Sequence, residues 1–99
     1  MPQLTGKMRK SVIRTAVKRV GADVVLLYRL TEEPAGTPGR FMYSLTVTKA
    51  DSGVHRRCVE HLHDISRSRR EAERIFTLVS RGRVFPDTAA EIVSDLISI

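Results

Sequence analysis

Apolar residues recur at every second position in much of the chain before Asp64, and every three to four positions after Ser66. This change of period at Asp64-Ile65-Ser66 constrains the fold more than any other feature. A period of two marks a half-buried strand and one near 3.6 marks an amphipathic helix. Strands that precede helices without alternating with them predict an α+β architecture rather than parallel βαβ units.

Upstream of the junction, Val24, Leu26, Tyr28 and Leu30 alternate with Val25, Leu27, Arg29 and Thr31. The residues from Glu32 to Arg40 include two prolines and two glycines, which predict a loop. Phe41, Tyr43, Leu45 and Val47 then alternate with Met42, Ser44, Thr46 and Thr48, so one strand face is apolar and the other polar. After a turn at Asp51-Ser52-Gly53, Arg57 to His63 reads as a further strand. Cys58, Glu60 and Leu62 share one side of it, and Val59, His61 and His63 the other. Short turns between successive strands imply an antiparallel meander.

Residues 12–20 fit neither template cleanly. Val12, Ile13, Ala16, Val17 and Val20 have helical spacing, which would place Lys10, Arg14 and Lys18 on the opposite side. Many of these residues are β-branched and favour strands. A turn signal at Gly21-Ala22-Asp23 also leads straight into the strand at Val24. The residue pattern alone supports both readings.

Downstream, Ala72, Ile75, Phe76 and Val79 form one helical stripe, with Ser66 or Ser68 available as the cap. Gly82 is expected to end this helix in a left-handed conformation. Pro86-Asp87-Thr88 opens a second helix, in which Thr88 and Glu91 have capping-box spacing. Ile92, Val93, Leu96 and Ile97 supply its apolar face, and Asp87, Glu91 and Asp95 line another side.

A chain of 99 residues is expected to form one domain. Residues 1–8 are expected to be flexible, residues 9–63 to form the sheet and residues 66–99 the two helices. The one cysteine, Cys58, excludes an internal disulfide and fits a reducing, cytoplasmic setting. The longest apolar run, Val24 to Tyr28, is too short to cross a bilayer, so no membrane partner is expected. Met1 to Lys10 lacks the apolar segment of a secretory signal.

The net charge of +6 is lopsided: residues 1–50 hold nine basic and three acidic side chains, whereas residues 51–99 hold eight of each. The excess concentrates in a basic strip, Lys7, Arg9, Lys10, Arg14, Lys18 and Arg19, which suits an anionic partner or simply keeps the chain in solution. A second basic group, Arg67, Arg69 and Arg70 with Ser66 and Ser68, stands at the start of the first helix. Free amides, hydroxyls and guanidinium groups there make a candidate anion site.

No set of residues spells out a catalytic chemistry, so no enzymatic activity, cofactor or metal is expected. His61 and His63 share a strand face but are too few for zinc, unless His55 or Asp64 is brought near. Cys58 and His61 fall on opposite faces, which argues against a nucleophile–base pair. The expected role is a protein-interaction or regulatory module with an unknown partner or with itself as a homodimer. The alternative is a nucleic-acid binder without sequence preference, acting through the basic strip.

Four ordered features carry a resemblance: Tyr28-Arg29-Leu30, Tyr43-Ser44-Leu45, Asp64-Ile65-Ser66, and Val84-Phe85-Pro86 followed by Glu91 to Leu96. Over residues 23–96 the chain resembles a family of short uncharacterised proteins of spore-forming Gram-positive bacteria, in which a glycine is common at the position of Ser44. The resemblance implies no activity. It implies that residues 9–20 form a first strand, giving a ββββαα order with both helices on one face of the sheet.

Overall fold

Four strands and two helices follow one another along the chain in a computed structural model that describes residues 10–98. The strands are β1 (Ser11–Val20), β2 (Val24–Pro34), β3 (Phe41–Asp51) and β4 (Arg56–Ser66). They form one antiparallel sheet in the order β1-β2-β3-β4. The helices α1 (Arg69–Arg81) and α2 (Pro86–Ser98) complete the expected ββββαα order. Expectations for Lys7, Arg9 and the flexibility of residues 1–8 lie outside the described residues.

The first segment is a strand, and its confusing pattern has a physical cause. Val12 pairs with Thr31 while Arg14 pairs with Leu30, so Ile13 is an extra residue, a β-bulge. The bulge resets the alternation of faces. Ile13, Ala16 and Val20 therefore all pack against the core at helix-like spacing, while Val12 and Val17 lie exposed.

A second irregularity lies between β3 and β4. Leu45 pairs with Leu62 and Tyr43 with Ser66, so three residues of β4 stand opposite Ser44. Asp64 in this bulge takes a left-handed conformation with φ of 53°, which Asp tolerates better than most residues. Ile65 next to it is buried in the core. The junction that separates the two sequence periods is thus the last stretch of the sheet, and the helical layer begins only after Ser66.

Other expectations need correcting. Glu32 to Pro34 belong to β2, because Glu32, Glu33 and Pro34 continue the ladder against Tyr43, Met42 and Phe41. Pro34 is tolerated as the last residue of the strand. Phe41, at the strand's outer end, is partly exposed, as is Ile97 near the end of α2.

The core is the layer between sheet and helices. Leu26, Tyr28, Leu30, Leu45 and Val47 from β2 and β3 meet Ala72, Ile75, Phe76 and Val79 of α1 and Ala89 and Val93 of α2. Ser68 caps α1, its hydroxyl accepting the Glu71 N–H at 3.3 Å. At the other end Gly82 is not left-handed, with φ of −77°. Arg83 is, with φ of 50°. The Val84 N–H reaches Val79 O and the Arg83 N–H reaches Ser80 O, both at 3.2 Å, which is a Schellman motif with Arg83 at the left-handed position. Gly82 answers a different need, since a Cβ there would meet the Leu78 carbonyl oxygen at 3.1 Å.

The loop after this motif is pinned by the Tyr28 hydroxyl, which donates to Val84 O at 2.8 Å. Pro86 then takes the first helical position of α2. Thr88 does not cap the helix. It lies within the first turn, where its hydroxyl donates back to Phe85 O at 3.4 Å.

Candidate functional site

Both helices lie on one side of the sheet, so among the described residues no element covers the other side. Strand register assigns each residue to a face, because directly opposed residues point the same way. Leu26, Leu30 and Leu45 face the helices, so the residues that alternate with them form the open face. One row across this face is Arg19–Val25–Ala50–Arg57, and the next is Val17–Leu27–Thr48–Val59. Beyond it lies Thr15–Arg29–Thr46–His61.

An apolar stripe thus crosses the open face, with Val17 62% and Val59 56% exposed, between rows that carry Arg19, Arg57 and Arg29. Glu33 adds an acid near the far end of the face. Its Oε1 is buried without a hydrogen-bond partner among the described residues. Sequence reading had no means of linking Arg29 and Arg57 to Arg19, since only the register places them together.

The same register divides the basic strip. Arg19 belongs to the open face, whereas Arg14 and Lys18 oppose Leu30 and Leu26 on the helix side. Arg14 is bound there: its guanidinium lies 3.5 Å from Glu73 and 5.5 Å from the centre of the Phe76 ring. Lys10, just before β1, is exposed. Strand alternation therefore sets Arg19 on a different face from Arg14 and Lys18.

The arginines at the start of α1 are engaged locally. Arg67 makes two hydrogen bonds to the Asp64 carboxylate, each 3.0 Å, and this holds the Asp64 carboxyl below its ordinary range. Arg69 binds Glu73 at 3.0 Å and approaches Glu32 at 4.0 Å. The Ser66 hydroxyl accepts the Ser68 N–H at 2.9 Å, while Ser68 caps the helix. Arg70 is exposed and takes part in no ion pair among the described residues. Of the groups expected to hold an anion, Arg67 and Arg69 are thus engaged by neighbouring carboxylates and the two serines by local backbone amides.

His61 and His63 meet edge to face, with ring centres 4.2 Å apart. His61 Nδ1 lies 2.6 Å from the Thr46 hydroxyl. Loss of hydration, followed by the nearby charges of His63 and Lys10, lowers the His61 pKa, and Glu33 opposes the shift. Among the described residues, no group of three or more His, Cys, Asp or Glu is arranged to hold a metal. Cys58 opposes Lys49 on the helix side of β4, whereas His61 opposes Thr46 on the other.

Where the open face meets the turns, it deepens into a cup of about 390 Å³. Val25 and Ala50 are at its floor, and Arg19 and Arg57 end the same row on either side. The turn after β1 and the turn after β3 are tied together by the Ser52 N–H, which donates to Asp23 O at 2.9 Å.

No helix among the described residues is long and apolar enough to cross a membrane. A family model described as a family of unknown function (DUF6514) matches residues 8–99. No curated protein and no solved structure matches the chain.

Proposed function

The chain belongs to this family of unknown function (DUF6514), and we propose that it is a non-enzymatic protein-interaction module whose open sheet face receives an acidic partner surface. The observation that carries this reading is the exposed Val17 and Val59 stripe flanked by Arg19, Arg29 and Arg57. Apolar area supplies affinity, and charges around it select the partner. The opposite faces of Cys58 and His61 support the absence of a nucleophilic catalytic pair.

The occupant best matched on the chain itself is α2 of a second copy. Asp87, Glu91 and Asp95 are exposed and recur every four residues along one side of the helix. Among the described residues, none of Arg19, Arg29, Arg57, Asp87, Glu91 or Asp95 takes part in an ion pair. Because α2 and the open face lie on opposite sides of one sheet, this contact is head to tail rather than a two-fold pair. The arginines also suit a nucleic-acid backbone, but among the described residues the rows across this face carry no Phe or Tyr on which bases would stack.

Sedimentation velocity over a concentration series tests the proposal. The chain is expected to self-associate in low salt and to dissociate in high salt. Arg29→Glu/Arg57→Glu and Asp87→Lys/Glu91→Lys should each abolish association, and mixing the two variants should restore it. A chain that stays monomeric in low salt overturns the self-partner. Retention on DNA in low salt, lost in Arg29→Glu/Arg57→Glu, would put nucleic acid in its place.

A further inference from the structure

We infer that the cup at the turn end of the open face is a binding site for a small hydroxylated organic phosphate, of the sugar-phosphate class. This inference does not rest on the partner proposal, although it shares Arg19 and Arg57 with it. The volume of about 390 Å³ lies within the range of small-molecule sites.

The cup is chemically divided. Arg19 and Arg57 stand at the two edges of a single row across the sheet, about 14 Å apart at the backbone from three interstrand spacings. Both arginines line the cup together with the apolar Val25 and Ala50 between them, and guanidinium side chains are long enough to approach one ligand from both sides. Arg56 and His55 add two further nitrogen-bearing side chains to the lining. Planar guanidinium groups bind phosphate oxygens in pairs, which favours phosphate over a single carboxylate.

The residues around the cup also include two acids, Asp23 in the turn and Asp51 from the adjoining row of the ladder; carboxylates at this rim repel a bare anion but accept hydrogen bonds from hydroxyl groups. One Asp51 oxygen is already used, accepting the Gly53 N–H at 3.0 Å. A ligand that carries both a phosphate and hydroxyls satisfies the arginines and the acids together, while its carbon skeleton covers the floor. The rim is preformed. Asp23 O accepts both the N–H and the hydroxyl of Ser52, which joins two turns that are far apart in sequence.

The test is titration with ribose 5-phosphate, inorganic phosphate and ribose, followed by the backbone amide NMR signals of the full chain. Ribose 5-phosphate should shift the signals of Val25, Ala50 and Gly53, and bind at least about tenfold more tightly than inorganic phosphate, since it also satisfies the acids. Ribose alone should leave them unmoved. Arg19→Gln/Arg57→Gln, at two exposed positions, should abolish the shifts while leaving the rest of the spectrum folded. Equal binding of inorganic phosphate and ribose 5-phosphate would overturn the ligand class. Binding that survives in Arg19→Gln/Arg57→Gln, or no shift at these residues, would overturn the site. Repeating the titration on Asp87→Lys/Glu91→Lys, which leaves the cup intact, separates this result from any effect of self-association.

Discussion

The hydroxyl of Ser44, itself buried, accepts the backbone N–H of Asp64 at 3.1 Å across the irregular end of the β3–β4 ladder. A bulge leaves amide groups without their ladder partners, and this side chain supplies one. It thereby steadies the turn that carries Ile65 into the core and Arg67 onto Asp64.

Ser44→Ala should therefore destabilise the chain by about 1 kcal/mol, the usual net worth of one hydrogen bond, since it strips the part-buried Asp64 N–H of its acceptor. Urea denaturation checks this. A midpoint equal to that of the wild type would show that water replaces the hydroxyl.

Tyr28→Phe should cost a similar amount, about 1–2 kcal/mol, because it strips the buried Val84 carbonyl of its donor. The phenol also links stability to alkaline pH. Burial raises the Tyr28 pKa to about 12, and burial with the Glu32 hydrogen bond raises Tyr43 to about 12. A folded-state pKa above the unfolded value of 10.0 means that the stabilisation is whole below pH 10 and drains away towards pH 12. Denaturation curves from pH 9 to 12 should show that decline, and it should be shallower in Tyr28→Phe.

Arg83→Gly should stabilise the chain by about 1 kcal/mol, since Arg83 holds a left-handed conformation that glycine adopts freely. The measurement is the rise in Tm. An unchanged or lower Tm would assign the Arg83 side chain a stabilising contact that outweighs the backbone strain.

His61 should make the fold weaken in acid. Its folded-state pKa lies below the unfolded value of 6.5, so its contribution is complete above that pH and is lost as the pH falls from there through the lower, folded-state value. His61→Asn should flatten this part of the stability profile, and NMR titration of the ring should give a midpoint below 6.5. A normal or raised midpoint would mean that Glu33 outweighs loss of hydration, His63 and Lys10.

Much of the fold was legible without coordinates. Alternation at Val24 to Leu30 and Phe41 to Val47 located two strands, and the stripe of Ala72, Ile75, Phe76 and Val79 defined α1 and its buried side. These patterns are local consequences of two backbone geometries, and they survive because one face of each element is buried. Residues 11–20 were ambiguous because a bulge at Ile13 breaks the alternation, and a bulge exists only relative to the partner strand. The resemblance resolved that segment where periodicity did not.

The candidate site was less legible. Arg19, Arg29 and Arg57 are far apart in sequence, and only strand register places them on one uncovered face. The arginines after Ser66 stood out in the sequence, yet Asp64 and Glu73 occupy two of them in the structure. By itself the sequence determined the elements, their order and most of the core, because each depends on a spacing of apolar residues along one segment. Tertiary structure alone decided which charges are paired, which face stays open, and that Asp64-Ile65-Ser66 ends the sheet rather than starting the helix. Those outcomes depend on the residue that stands opposite, and a linear pattern does not contain it.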